Sequence, residues 1–255
     1  MIHKVTPSPG IAALFAGWEE TMIYSCLQGI MGELYAGPPG SPKTAAALLG
    51  DFCFFAGSPE RALVQSVLKA CSRDFMILIP QTEQWAEQIE ECCRGSAKRV
   101  VRYALKKEPE VFDTDHLHRL AHALPKGCTM RLMDEELFLQ CGRLGWCRDF
   151  VSQYPDYKTY RRYGLGVVAM EENEPVSGAS SYSGYAGGIE IEIDTREDRR
   201  RRGLAGACGA RLILECRKRG LYPSWDAQNL WSLALAEKLG YHFDREYAAY
   251  ELIRA

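Results

Sequence analysis

The sequence predicts an α/β protein with a mixed sheet, and two stretches carry this prediction. Residues 75–80, Phe-Met-Ile-Leu-Ile-Pro, form a short continuous apolar run, which is typical of a strand buried on both faces of a sheet. Residues 187–220 begin as an alternation of isoleucine with acidic side chains and continue, after four arginines, as a helical pattern. Strands that alternate with helices in this way predict strand–helix–strand units.

The first half of the chain predicts the order helix, strand, strand, helix, strand, helix, strand. The predicted elements are a helix at residues 11–29, strands at 34–37 and 45–56 around a turn-rich segment at 37–42, a helix capped by Ser58 with Pro59 in its first position and ending near 71, a strand at 75–80, a helix at 82–94 and a strand at 98–105.

After a charged spacer the order repeats. The predicted elements are a strand at 129–133, helices at 134–144 and 149–153, strands at 164–170 and 176–183 around a tight turn, a strand ending near 194, a helix from 201–203 to 219, a strand at 222–226, a helix at 230–239 and a final stretch at 241–252. The repetition predicts two α/β domains, residues 1–124 and 125–255. In the spacer, His116 and His118 do not share a helix face, so we expect helix residues there and no metal site.

The stretch around Gly203 has the features of a phosphate site. A strand leads into a helix N-terminus, where unpaired N–H groups and the positive end of the helix dipole favour an anion. Gly203, Ala205 and Gly206 keep the turn free of bulky side chains, and four successive arginines at residues 199–202 add positive charge. The alternative is that these arginines form a solvated or nucleic-acid-binding patch.

Two motifs in the second half resemble those of the GNAT superfamily of N-acetyltransferases. Residues 200–205, Arg-Arg-Arg-Gly-Leu-Ala, fit its Gln/Arg-x-x-Gly-x-Gly/Ala motif at the start of the helix. Residues 229–241, from Asn229 to Glu-Lys-Leu-Gly-Tyr, are similar to its second signature. Stretches such as Gly-Asp-Phe-Cys-Phe-Phe-Ala-Gly at 50–57 resemble the bacterial subfamily that includes the zwittermicin A resistance acetyltransferase.

The resemblance implies a GNAT fold in the C-terminal half. It implies a degenerate GNAT-like copy in the N-terminal half, with a substrate-side or structural role. It implies acetyl-CoA as the donor, an amine as the acceptor, and direct attack in a ternary complex. The residues expected to bind the cofactor are Ile193, Asp194, Thr195, Arg200, Arg201, Arg202, Gly203, Leu204, Ala205, Gly206 and Asn229. Asn229 is expected equally to cap the last helix.

The acidic face of the strand before the loop offers candidates for the base. Attack by an amine on a thioester needs a neutral nitrogen and a group to take its proton. Glu190, Glu192 and Asp194 share one face of the strand, and such a row attracts a cationic amine. Glu192 is the preferred base and Glu190 the reserve. The alternative is that these carboxylates form the wet face of a half-buried strand.

The sequence departs from the family at the residue that protonates the leaving thiolate. The family often has a tyrosine seven residues after the asparagine, but Ala236 occupies that position here. Tyr247 is the candidate catalytic residue for this step, with Tyr241, Tyr250 or a water as alternatives. Cys208 and Cys216 fall on the apolar side of their helix, and we interpret them as core thiols.

Composition limits the function classes. The 255 residues are 47% hydrophobic and 25% charged with a net charge of −2, which indicates a globular protein and disfavours a dedicated nucleic-acid binder. Ten cysteines without metal-site spacing, and no apolar run of ~18 residues, predict a cytoplasmic protein with no metal and no membrane span. The leading function is N-acetylation of a small-molecule amine, which the subfamily resemblance extends to an aminated antibiotic. A catalytically weak CoA-binding sensor is the alternative, and a homodimer is one assembly that the sequence allows.

Overall fold

The computed structural model describes residues 2–38 and 42–253, and the chain divides into two compact units. The first unit contains Met1–Arg102 and Glu246–Ala255, and the second contains Tyr103–Arg245. The strands and α-helices are, in chain order, β1 (His3–Val5), α1 (Pro9–Leu14), α2 (Thr21–Leu27), β2 (Glu33–Ala36), β3 (Thr44–Leu49), β4 (Phe52–Gly57), α3 (Arg61–Ala70), β5 (Phe75–Pro80), α4 (Glu83–Cys92), β6 (Ala97–Leu105), α5 (Thr114–His122), β7 (Cys128–Leu132), α6 (Glu135–Arg143), α7 (Tyr157–Tyr163), β8 (Gly166–Glu171), β9 (Glu174–Tyr185), β10 (Gly188–Thr195), α8 (Leu204–Lys218), β11 (Tyr222–Ser224), β12 (Asp226–Ala227), α9 (Leu230–Leu239) and β13 (Phe243–Ile253).

The first unit is a mixed sheet covered by amphipathic helices. Its strand order is β1-β2-β3-β4-β5-β13-β6, with β4 and β5 parallel and joined by α3. The C-terminal part of β13 pairs antiparallel with β5, Tyr250 opposite Leu78. Leu63 and Val67 of α3 and Trp85 of α4 are fully buried against the sheet. The continuous apolar run at 75–80 is therefore a buried strand with a parallel neighbour, as predicted.

The second unit repeats this order of elements. Its sheet is β7-β8-β9-β10-β11, antiparallel except for the parallel pair β10–β11, which α8 connects. The residues of α8 that face the sheet pack on the isoleucine face of β10 and on α5. An added Cβ at Gly209 would lie 2.8 Å from Leu239 and 3.1 Å from Ile193, so glycine there allows α8 to approach both elements.

The compact units and the predicted domains have different boundaries. The prediction divides the chain between residues 124 and 125, whereas the second unit begins at Tyr103 and ends at Arg245. One reason is that α5, in the predicted spacer, buries Leu117 in the core beneath α8. Another is that the last residues of β13 belong to the sheet of the first unit.

Four local predictions were wrong. The helix expected at 11–29 is two helices, because Gly17 at φ 76° interrupts it. The strand expected at 45–56 is the hairpin β3–β4, closed at Gly50 with φ 58°. Ser58 does not cap α3, whose N-cap is Glu60.

The fourth error lies between α6 and β8. The helix expected at 149–153 is instead a 3-10 helix at Gly145–Phe150, followed by the unpredicted α7, which Asp156 caps. The turn expected at 37–42 lies partly outside the described residues. His116 and His118 lie on α5, as expected for helix residues.

Candidate active site

The loop from β10 to α8 holds two left-handed residues in front of a helix N-terminus. Arg201 has φ 61° and Gly203, the N-cap of α8, has φ 81°. An added Cβ at Gly203 would meet nothing within 4 Å, so glycine is required there for its conformation and not for space. No side chain caps α8, which leaves the N–H groups of its first turn available to an external acceptor.

A cavity of about 310 Å³ opens at this N-terminus. The residues that line it come from the end of β10, the loop, the first turn of α8 and one face of α9: Ile193, Asp194, Thr195, Arg199, Arg200, Arg201, Gly203, Leu204, Ala205, Gly206, Leu235 and Lys238. The structure thus brings together all the residues expected to bind the cofactor except Arg202 and Asn229. Arg199 was expected only to add charge, and Leu235 and Lys238 are additions that the sequence interpretation missed.

The four arginines of the loop divide into two kinds. Arg199 and Arg202 both donate to the carboxylate of Glu171, Arg202 Nη2 at 3.0 Å from Oε1. These two guanidinium groups lower the pKa of Glu171 to about 2. Arg200 instead donates through Nε to the carbonyl of Thr195 at 3.2 Å and lies with Nη2 3.8 Å from Asp194 Oδ1, and its side chain is 59% exposed. The arginine run is therefore partly neutralised, and Arg200 and Arg201 carry its outward-facing charge.

Helix α9 contributes its own face to the cavity. An added Cβ at Gly206 would lie 3.8 Å from Leu235, which places this face of α9 beside the first turns of α8. Lys238 is one turn further along the same helix and brings a second source of positive charge. Asn229 caps α9, its Oδ1 accepting from Ser232 N at 2.9 Å, so its expected capping role is present.

The edge of β10 is open where the strand approaches the cavity. Strands β10 and β11 pair at only three positions, the last being Glu190 with Ser224. Beyond Glu190, no described strand pairs with this edge of β10, although β10 continues to Thr195. A register shift against β9 between Glu190 and Ile191 marks the same point. The backbone groups of this open edge can therefore bind an extended ligand, as a neighbouring strand would.

The acidic row divides at this opening. Glu190 is 3% exposed and lies in the paired part of β10, directly opposite Ser183 and Ser224 on its two neighbours. Glu192 is half-buried and lies in the open part, opposite Ser180. Burial raises the pKa of Asp194, although its Oδ1 accepts from the N–H of Thr195. Glu190 is thus buried, while Glu192 and Asp194 are half-buried.

The tyrosines proposed to protonate the thiolate lie in different places. Tyr241 is in the core of the second unit, where its hydroxyl donates to the carbonyl of Pro223 at 2.5 Å. Tyr250 belongs to the first unit and donates to Glu90. Tyr247 also lies in the first unit, on β13, and its role stays a prediction. Ala236 is fully buried in the core of the second unit.

The cysteines of α8 are core residues, as predicted. Cys208 and Cys216 are fully buried, and burial raises the pKa of each thiol to about 12.

Across residues 2–38 and 42–253, no cluster of His, Cys, Asp or Glu side chains is arranged to hold a metal ion. The helices of that same part of the chain include none that is long and apolar enough to span a bilayer.

The sheets, the helix N-terminus and the open strand edge together define an acyltransferase of the GNAT type. The GNAT acetyltransferase family model matches residues 12–250, so the chain belongs to this family and is an acetyltransferase by family. The chain is 26% identical over 246 residues to the uncharacterized N-acetyltransferase YdfB of Bacillus subtilis, covering 90% of this chain and 89% of the relative.

Solved structures agree with this assignment. A GCN5-related N-acetyltransferase-like protein from Streptococcus suis is 47% identical, with a TM-score of 0.90 over 95% of this chain and 96% of the other. A tandem GNAT protein from the clavulanic acid biosynthesis pathway is 10% identical and has a TM-score of 0.52 over 99% and 98% of the two chains. The second likeness concerns the fold alone. The predicted mixed α/β fold of the GNAT type is therefore confirmed.

Proposed function

We propose that this protein transfers an acetyl group from acetyl-CoA to the amine of a small molecule. One observation carries the proposal: a cationic cavity at an uncapped helix N-terminus opens beside a strand edge that no described strand covers and that ends in half-buried carboxylates. The helix N-terminus favours a diphosphate, the strand edge favours an extended amide-containing arm, and the carboxylates favour an ammonium group. Acetyl-CoA and an amine supply these three chemistries together.

The residues of the cavity fit the diphosphate of CoA. The N–H groups of residues 204–206 would hold its oxygens, and Arg200 and Arg201 would balance its charge. The pantetheine arm would follow the open edge of β10 between Thr195 and Glu190. Acetyl-CoA would supply the thioester, and the open edge of β10 would orient it.

Glu192 is the base that this arrangement favours. It lies on the open part of β10, where a bound thioester would end, and it is half-buried. Glu190 lies between two paired strands and is almost completely buried, which leaves it less room to meet a substrate. We therefore keep Glu192 as the group that accepts the amine proton and Glu190 as the reserve.

The acceptor is proposed to be a small cationic molecule. The acidic face of β10 would attract an ammonium group and hold it near the thioester. The likeness to the subfamily of the zwittermicin A resistance acetyltransferase extends this to an aminated antibiotic. A nucleic-acid partner is disfavoured because Glu171 binds two of the four loop arginines.

The second candidate is a CoA-binding sensor with weak catalysis. Buried Ala236 favours it, because this position cannot supply a phenol to the leaving thiolate. Turnover separates the two candidates. A sensor would bind CoA tightly and release free thiol from acetyl-CoA at the same slow rate with or without amines.

The test is acetylation of a panel of amines, including aminated antibiotics, by the wild type and by Glu192→Gln. We expect Glu192→Gln to lower kcat by ~10²- to 10⁴-fold while the Kd of CoA stays within about two-fold, because positioned proton transfer contributes this much. Glu190→Gln is the matched control. Loss of rate in Glu190→Gln alone would transfer the role to Glu190, and an unchanged rate in both would leave proton removal to solvent.

A further inference from the structure

Glu171 connects both ends of the arginine loop. It is the last residue of β8, it comes just before the left-handed turn of Glu172 and Asn173, and its side chain is 18% exposed. Its carboxylate accepts from Nε of Arg199 and from both terminal nitrogens of Arg202, at 3.0 and 3.4 Å. A carboxylate that binds two guanidinium groups in this way forms charge-assisted hydrogen bonds of fixed geometry.

The residues between these two anchors need such support. Arg201 lies between Arg199 and Arg202 with φ 61°, a conformation that residues other than glycine rarely adopt. Arg202 is not among the residues that line the cavity, whereas Arg199 is, and the guanidinium of Arg199 is bound to Asp198 at 2.6 Å as well as to Glu171. Glu171 thus holds one arginine on each side of the residue whose backbone turns the loop toward α8.

Charge and geometry make opposite demands on this carboxylate. An acid near a phosphate site should weaken anion binding, and its removal would free two arginines for the ligand. A carboxylate that fixes the loop should strengthen binding, because the N–H groups of α8 and the side chains of Arg200 and Arg201 are then already in place.

We propose that Glu171 is a positioning residue of the diphosphate site. It turns Arg199 and Arg202 into a frame for the loop and leaves Arg200 and Arg201 to meet the ligand. This inference rests on the proposed function, because the ligand it serves is the diphosphate of CoA. The gain from the ordered loop exceeds the electrostatic cost of the acid.

The first test is calorimetric titration of CoA into the wild type, Glu171→Gln and Glu174→Gln. Glu174 is an exposed acid across the same turn, so its replacement gives the same change of charge outside the frame. We expect Glu171→Gln to raise the Kd of CoA about ten-fold, which corresponds to about one hydrogen bond to a charged group, and Glu174→Gln to leave it within about two-fold. With acetyl-CoA, KM should rise and kcat at saturation should change less than about two-fold.

The second test is a double-mutant cycle with Arg202→Gln. If both residues act through the frame, Arg202→Gln should raise Kd by a similar factor and the double variant should lose no more than either single variant. Thermal unfolding of each variant shows whether the whole protein is misfolded. Partial rescue of CoA binding in Glu171→Asp would show that the loss comes from the carboxylate that orders the loop.

The outcomes are distinct. An unchanged or lower Kd in folded Glu171→Gln would overturn the inference, since the acid would then be neutral or an opposing charge. Additive losses in the cycle would also overturn it, because Arg202 would then contact the ligand by itself. A wild type that fails to bind CoA would overturn the proposed function together with this inference, whereas normal wild-type binding confines any failure to Glu171.

Discussion

At the scale of single residues, the site depends on backbone conformation as much as on charge. Gly203 adopts φ 81° at the N-cap of α8, and the space beside its Cα is open. Gly220, just after the same helix, has φ 66° and equally open surroundings. The two glycines therefore share a left-handed conformation and open surroundings. They differ in position, because Gly203 lies at the cavity and Gly220 lies at the far end of α8.

Replacing Gly203 with alanine should separate conformation from binding. Gly203→Ala and Gly220→Ala should each lose about 1 kcal/mol of stability, the cost of left-handed alanine. Only Gly203→Ala should weaken CoA binding, because its methyl group and the altered loop lie at the diphosphate site. Thermal unfolding and calorimetry measure both quantities. Equal CoA affinity in the two variants would show that the diphosphate lies elsewhere.

At the scale of elements, the sequence indicated which strand and helix form the site but not all of its parts. The isoleucine alternation predicted the position of β10, and the glycines and arginines predicted where α8 begins. Both predictions were possible because these are local patterns in the sequence. Glu171 meets Arg202 across 31 positions of sequence, and such a contact follows only from the pairing of β8 with β9 and of β9 with β10. Lys238 was overlooked for the same reason, since only the packing of α9 on α8 brings it to the cavity.

Helix α9 brings a positive charge to the cavity. Lys238 lines the cavity, and its charge should help to hold the phosphates of CoA. Lys238→Ala should raise the KM of acetyl-CoA about three- to ten-fold at low salt, with a smaller effect at high salt because exposed charges are screened. Lys218→Ala is the control, as Lys218 is an exposed residue near the other end of α8 that pairs with Glu215. Equal effects of the two substitutions, or an effect independent of salt, would remove Lys238 from the site.

At the scale of the whole molecule, the two units repeat one order of elements but differ at the corresponding turn. In the first unit, the N–H of Gly57 donates to Gln81 at 2.9 Å and that of Ser58 to the carbonyl of Lys43 at 2.7 Å. Pro59 has no N–H to offer, and Glu60 places an acid at the N-cap of α3. These contacts use the groups that an anion would need.

One CoA should therefore bind per chain. Calorimetric titration should give a stoichiometry near one, and Gly203→Ala should weaken that single site without exposing another. A second binding event that survives Gly203→Ala would place a cofactor in the first unit. It would also contradict the interpretation of this unit as a degenerate copy.

The predicted domain 125–255 and the compact unit Tyr103–Arg245 should differ in stability as isolated fragments. The predicted fragment lacks α5 and the segments around it, although Leu105, Phe112 and Leu117 are buried in the core of the second unit. Burying each such side chain contributes about 1.5–3 kcal/mol, and a whole domain is stable by only about 5–15 kcal/mol.

The fragment 125–255 should therefore fail to fold, since three missing core side chains account for most of that stability. It also carries the end of β13 without β5, its partner in the first unit, and so exposes an unpaired strand to aggregation. The fragment 103–245 retains the core and should unfold cooperatively and bind CoA. Near-ultraviolet circular dichroism and thermal unfolding compare the two fragments with the full chain. Cooperative unfolding of 125–255 would mean that α5 is dispensable and that the boundary predicted from the sequence is the physical one.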